Sequence, residues 1–210
     1  MKTTICIPCM DSVQTEFFHS AVRMQHVGLV DWKIHSCSLI YKARNDLGEA
    51  AVAEGGDYVL WLDSDVMFPS SLLADMIADM DGRDILTGIY HMRRPPFAPV
   101  IWSKLRKGMT ESENVTEICV EYPKDEIFEV EACGFGCVLM RTEVLKTVMN
   151  ERHDLFSPIS GYGEDLSFCL RARGCGYRIW CDPRIQVGHK ASTIVTADTF
   201  KSYQEAGGKV

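Results

Sequence analysis

No apolar run in this chain approaches the ~18 residues that a membrane-crossing helix needs, so no spanning segment is expected. The N-terminus carries Lys2, but Pro8 and Asp11 interrupt the apolar stretch behind it, and no secretory leader is expected there. Basic charge is scarce: 22 Lys and Arg face 29 Asp and Glu, a formal net charge of −7. That balance argues against a general nucleic-acid binder but leaves room for a nucleotide held through a metal. A glycine-rich phosphate loop is missing as well, since Pro8-Cys9-Met10-Asp11-Ser12-Val13 follows the first predicted strand. There is no internal repeat and no low-complexity tract. Cysteine is not scarce, but the nine residues are scattered and odd in number. Cys6, Cys133, Cys137 and Cys169 lie in apolar runs, where a thiol packs as a small hydrophobe. A reducing cytoplasm fits this usage better than a disulfide framework. Cys6 and Cys9 have redox or zinc spacing, but they sit on a strand and no second pair accompanies them.

A length of 210 residues and a hydrophobic content of 46% suit one globular domain. Strands are expected over 3–9, 33–39, 58–62 and 85–90. Helices are expected in between: one carrying Val13, Phe17, Ala21 and Met24 on one face, one over 44–54 ended by Gly55-Gly56, and one over 70–80. This alternation is the mark of a parallel sheet with right-handed crossovers. The second half differs. Strands are expected over 98–102, 116–122, 126–131 and 135–141, some of them antiparallel. Helices are expected over 142–150 and 164–172, and a last strand over 177–181, stopped by Pro183. The polar, aperiodic stretch 104–114 reads as a mobile loop that closes over a cleft.

The most telling stretch is Tyr58-Val-Leu-Trp-Leu-Asp63-Ser64-Asp65. Five residues suited to a strand run straight into two carboxylates one residue apart. A fully apolar run of this length fits a strand buried on both faces, and ligands of such sheets bind at the strands' carboxyl ends. Adjacent carboxylates repel unless a cation lies between them, and hard oxygen ligands suit Mg²⁺ or Mn²⁺. A plain helix-capping turn would also use Asp and Ser here. Further on, Glu164-Asp165 opens a helix behind Gly161 and Gly163. Acidic residues in a first turn also simply suit the helix dipole. His189 follows an extended segment and Gly188; a histidine of this kind serves a core or surface role as readily as a metal.

In order along the chain, these residues resemble the metal- and nucleotide-sugar-dependent glycosyltransferases of the GT-A fold, most nearly glycosyltransferase family 2. Ile5-Cys-Ile-Pro8 looks like the family's first strand. Ala43-Arg44-Asn45 is similar to its Ala-Arg-Asn segment, and Leu62-Asp63-Ser64-Asp65 to its Asp-x-Asp motif. Gly134-Phe-Gly136 to Arg141 resembles the strand lining the acceptor cleft. Glu164-Asp165, Arg171 and Gly174 resemble the segment carrying the catalytic base. Cys9, Met10 and Asp11 replace the usual Thr and Asn behind the first proline.

The resemblance implies an α/β fold: a three-layer α/β/α sandwich around a mixed, mainly parallel sheet, in one domain over 1–210. Residues 1–92 would bind the nucleotide-sugar and residues 93–210 the acceptor. It implies an enzyme that moves a sugar from a nucleotide-diphosphate-sugar to a hydroxyl acceptor, with inversion. Asp65 and His189, with Asp63 nearby, would hold Mn²⁺ or Mg²⁺. Pro8, Arg44, Asn45, Asp63, Ser64 and Asp65 would contact the donor. Asp165 would be the general base and Glu164 a neighbouring acceptor contact. Gly134 and Gly136 would leave a sugar room against the backbone. A sugar-nucleotide pyrophosphorylase is excluded by the missing phosphate loop. A retaining transferase and a non-catalytic nucleotide-sugar-binding module of the same fold stay open. The basic clusters 92–97 and 104–107 could be solvated loops or could meet a sugar polymer, a lipid-carried phosphate at a membrane surface, or nucleic acid; no residue favours nucleic acid.

Overall fold

The computed structural model describes residues 1–191 and 194–209. The first half runs β1 (Lys2–Cys9), α1 (Thr15–Arg23), β2 (Leu29–Ser36), α2 (Ile40–Glu54), β3 (Tyr58–Leu62), β4 (Val66–Met67), α3 (Leu72–Ala78) and β5 (Ile85–Ile89). The second runs β6 (Ile101–Arg106), β7 (Val115–Ile118), β8 (Phe128–Val130), β9 (Ala132–Cys133), β10 (Cys137–Arg141), α4 (Thr142–Arg152), α5 (Glu164–Gly174), β11 (Ile179–Gln186), β12 (Gly188–Lys190), β13 (Ile194–Val195) and α6 (Ala197–Glu205). A seven-stranded sheet has the order β2-β1-β3-β10-β5-β11-β8. β10 pairs antiparallel with both β3 and β5, and β8 antiparallel with β11, while the other pairs are parallel. Five strands therefore point one way and two the other, which is the mixed, mainly parallel sheet expected. β10 lies between two strands of the first half, so both halves share one sheet.

β3 shows why the run before Asp63 is wholly apolar. Val59 and Trp61 face one core, with Phe135, Phe156 and Phe168; Leu60 and Leu62 face the other, with Phe17, Leu72 and Met76. Helices α2, α4 and α5 cover the first face and α1 and α3 the second. The four aromatic rings meet edge-on or stacked, with centroids 4.7–6.0 Å apart.

Several boundaries differ from expectation. β2 starts at Leu29 instead of 33, because it pairs along the whole of β1, from Lys2 opposite Leu29 to Cys9 opposite Ser36. Gly28, at φ 71°, makes the turn into it. β11 does not stop at Pro183 but continues to Gln186, with a register shift between Asp182 and Gln186 that accommodates the proline. The loop expected over 104–114 begins as strand, because buried Leu105 continues the inward pattern of β6. Its remainder is tied to the turn ahead of α5: Asn114 Nδ2 donates to the Ser160 carbonyl at 3.1 Å and the Tyr162 hydroxyl to the Arg106 carbonyl at 2.6 Å. β12, β13 and α6 carry no apolar pattern long enough to have been expected.

The two glycines expected to leave space for a sugar have another occupant. Tyr90, 5% exposed, lies across them, and its hydroxyl accepts the Gly136 N–H at 3.1 Å. A Cβ at Gly136 would stand 2.8 Å from the ring, and one at Gly134 would overlap the hydroxyl itself. Gly134→Ala is therefore expected to destabilise the fold by about 1–3 kcal/mol, the usual cost of overpacking. Urea unfolding measures this; an unchanged midpoint would mean that the phenol is free to move.

Candidate active site

β3 delivers Asp63, Ser64 and Asp65 to the carboxyl end of the sheet, where three backbone hydrogen bonds fix the turn. Asp63 N–H donates to the Gly136 carbonyl at 3.2 Å, Gln14 N–H to the Ser64 carbonyl at 2.9 Å, and Lys190 N–H to the Asp65 carbonyl at 2.8 Å. The last bond explains how His189 arrives. β4 follows the turn directly and pairs antiparallel with β12, placing Val66 opposite His189. A histidine more than a hundred residues away is thereby set beside Asp65, its Nε2 3.5 Å from Asp65 Oδ1. His189 Nδ1 lies 2.8 Å from the His91 carbonyl oxygen, which can only accept, so Nδ1 carries the hydrogen. In the neutral ring Nε2 then presents a lone pair toward Asp65.

Arg44 lies beneath this turn, 2% exposed. Its Nη2 donates to Asp63 Oδ1 at 2.8 Å and its Nε is 3.5 Å from Glu164 Oε1. Its guanidinium carbon lies 5.4–6.0 Å from the ring centres of Trp61, Phe135 and Phe156. Burial works against its charge, and Asp63, Glu164 and Asp165 outweigh that, so the guanidinium stays protonated. Asn45 does not reach the cleft. Its Nδ2 donates to Asp154 and Ser157, and its Oδ1 accepts the Phe156 N–H at 2.7 Å. The side after Arg44 on α2 faces the 154–157 turn, so Asn45 braces that turn instead of touching a donor.

Asp165 is half-buried in the first turn of α5, with Oδ1 accepting the Leu166 N–H at 2.7 Å. Burial first, then the Glu164 charge, raises its pKa from the ordinary aspartate value of 3.8 to about 6, against the pull of Leu166 N–H and Arg44. Its charge is felt at Tyr90 and Cys133, so it stands by the Gly134–Gly136 turn. Asp65 moves the other way. Burial raises it, but the hydrogen bond and charge that His189 offers when its ring is protonated, together with the charge of Arg93, outweigh burial and lower its pKa. Carboxylates with opposed environments are a sign of divided roles.

Two cavities meet at Gln14, Asp65, Arg93 and His189. One, of about 590 Å³, is walled by Pro8, Cys9, Arg44, Asp63, Ser64 and Glu164. The other, of about 860 Å³, is walled by Tyr90, Arg93, Arg94 and Lys190. Asp165 lines neither; it sits one residue behind Glu164. Gln14, Tyr90 and Arg93 were not singled out from the sequence as individual site residues. For Arg93 a signal existed, a pair of arginines just past a strand end in an acidic chain. Arg93 Nη1 lies 2.6 Å from Asp65 Oδ2. Among the described residues no three His, Cys, Asp or Glu side chains form a metal cage. Asp65 and, in the neutral ring, Nε2 of His189 make two ligands facing one point, a set suited to a hard ion that brings its other ligands with its substrate.

No protein-family model and no curated protein matches the sequence. Solved structures do match in shape. A197 from STIV aligns with a TM-score of 0.64 at 19% identity over 90% of this chain and 86% of that one. TarS 1–349 of S. aureus in complex with UDP-GlcNAc aligns at 0.57 with 15% identity, over 98% of this chain. GalNAc-T7 with UDP, GalNAc and Mn²⁺ aligns at 0.58 with 12% identity, also over 98%. This chain spans 65% of the TarS chain and 47% of the GalNAc-T7 chain. At such identities the likeness is one of fold, and the sheet order, the strand-end acidic turn and the cleft above it give this chain the GT-A fold.

Proposed function

We propose that this chain is a glycosyltransferase that moves a sugar from a nucleotide-diphosphate-sugar to a hydroxyl acceptor, with inversion. The observation that carries the reading is the convergence, at one strand end, of Asp63, Asp65, His189 and the Glu164–Asp165 pair. The UDP-GlcNAc of the TarS structure and the UDP and Mn²⁺ of GalNAc-T7 are consistent with it. In this reading the donor nucleotide lies in the cavity walled by Pro8 and Ser64. Asp65 and His189 hold a divalent ion, and Asp63, fixed by Arg44, faces the donor. The ion, when bound, neutralises the diphosphate as a Lewis acid.

Asp165 accepts the proton of the acceptor hydroxyl. The acceptor oxygen then bonds to the sugar's anomeric carbon from the face opposite the diphosphate. The carbon–oxygen bond to phosphate breaks, and its electron pair leaves with the nucleoside diphosphate. A carboxyl group raised to about 6 suits this step: it is ionised at neutral pH yet basic enough to take a proton. Glu164 lines the donor cavity and repels the ionised form of Asp165, which raises that basicity.

Calorimetry with UDP and GDP, with and without Mn²⁺, tests the donor site. One of the two is expected to bind only with the metal, and Asp65→Ala to abolish the metal's contribution. Binding indifferent to Mn²⁺, or to Asp65→Ala, would sink the assignment.

Asp165→Asn gives a prediction in two parts. Turnover should fall about 10²–10⁴-fold with nucleotide affinity kept. In the parent protein turnover should fall as pH drops through about 6, where the base is protonated. Stability should move in the opposite sense. Because the folded pKa lies above the unfolded one, the parent protein loses stability as pH rises from 3.8 to about 6. The Asn variant escapes that loss, so at pH 7 it should be more stable by about 1–3 kcal/mol, and equal below pH 4. Urea melts at the two pH values check this; a variant with full turnover refutes the base. Glu164→Gln separates the neighbours, since it should lower the pH of half-maximal turnover without abolishing turnover.

A further inference from the structure

The second cavity has a basic wall in an acidic chain. Arg93, Arg94 and Lys190 stand on its wall in a protein with a net charge of −7. Arg93 and Arg94 are exposed, and none of the ion pairs between described residues uses Arg94. The Lys190 ammonium meets Glu16 at the edge. The one carboxylate on the wall, Asp65, is shared with the donor cavity. Neutral sugars are commonly held on open aromatic faces. The aromatic residue here, Tyr90, is 5% exposed and packs against Gly136 and the His189 ring.

The backbone that carries the two arginines is also held in place. Met92 N–H donates to the Ala98 carbonyl and Phe97 N–H to the Arg94 carbonyl, both at 2.9 Å, closing a tight loop. From the C-terminal end α6 braces it: Phe97 meets Tyr203 at 5.5 Å between ring centres, and His91 meets Phe200 at 5.4 Å. Two adjacent guanidinium groups on a braced loop are suited to the oxygens of a phosphate, which arginine can grip with paired hydrogen bonds.

We infer that this cavity takes the phosphate-bearing end of the acceptor, a phosphate ester gripped by Arg94, Arg93 and Lys190, with the neighbouring hydroxyl directed past Tyr90 toward Asp165. The inference rests on the transferase reading and adds the acceptor's chemical class. The phosphate can come from a soluble or polymeric polyol phosphate or from a lipid headgroup.

The test uses the full chain with saturating Mn²⁺ and whichever of UDP or GDP binds. Glycerol 3-phosphate is titrated against it, with glycerol as the neutral control. Glycerol 3-phosphate should bind without displacing the nucleotide, glycerol should not bind, and added salt should weaken the binding. Arg94→Glu, at an exposed position outside the donor cavity, should weaken it at least tenfold while nucleotide affinity stays the same. In a second arm, vesicles of phosphatidylcholine with and without phosphatidic acid are sedimented with the protein. Arg94-dependent sedimentation with phosphatidic acid assigns the phosphate to a lipid; binding of glycerol 3-phosphate without sedimentation assigns it to a soluble or polymeric ester. No binding in either arm, binding untouched by Arg94→Glu, or displacement of the nucleotide overturns the inference while the donor site stands. Absence of nucleotide binding, with glycerol 3-phosphate still bound, overturns the transferase reading and the acceptor role with it.

Discussion

The buried guanidinium of Arg44 is the constraint on which the site depends. Asp63, Asp65, Glu164 and Asp165 converge at one end of a sheet, and unrelieved they would repel one another apart. One positive charge beneath them, 2.8 Å from Asp63 and 3.5 Å from Glu164, holds the turn after β3 and the start of α5 together. Taking that charge out of water costs several kcal/mol, and a well-packed apolar side chain would usually serve stability as well. Two of its nitrogens, Nε and Nη1, lack a hydrogen-bond partner, so hydrogen bonding does not offset the cost in full. The faces of Trp61, Phe135 and Phe156 return part of it. An ion pair of this kind is better explained by the geometry it imposes than by the stability it adds.

With Arg44 supplying one positive charge, the surface of the site remains acidic. Asp65 is left outside the reach of Arg44 and turns to His189 and Arg93. The register of β12 against β4 sets that arrangement, since shifting the pairing by one residue would turn His189 to the other side. The site is thus assembled from three chain segments: the end of β3, the start of α5, and a three-residue strand joined to β4. Backbone hydrogen bonds join the first and the third, and the Arg44 charge ties the second to the first.

How much was legible in the sequence follows from this division. β3 and its two aspartates stood out because a strand buried on both faces must be apolar along its length and must then end abruptly. α5 was legible because its glycine-flanked start and core-facing Leu166 and Cys169 follow helix rules. The short strands β4, β12 and β13 were not legible, being two or three residues long and defined by partners far away in sequence. Asn45 misled because adjacent residues on a helix point about 100° apart. When Arg44 enters the cleft its neighbour must face elsewhere, and here it faces the 154–157 turn. Gly134 and Gly136 misled for a related reason: the sequence shows that a Cβ is missing, but not which atom fills the space.

Arg93 links the two cavities physically. Its guanidinium takes, beside Asp65, the place of the cation that two acidic or lone-pair groups facing each other call for. Its own side chain is 55% exposed, so little packing holds it there, whereas Asp65 is only 18% exposed and the pair is half-sheltered from water. A divalent ion at Asp65 and His189 would have to displace it or share Asp65 with it. Arg93 already stands on the walls of both cavities, so its charge faces the second one as well as Asp65.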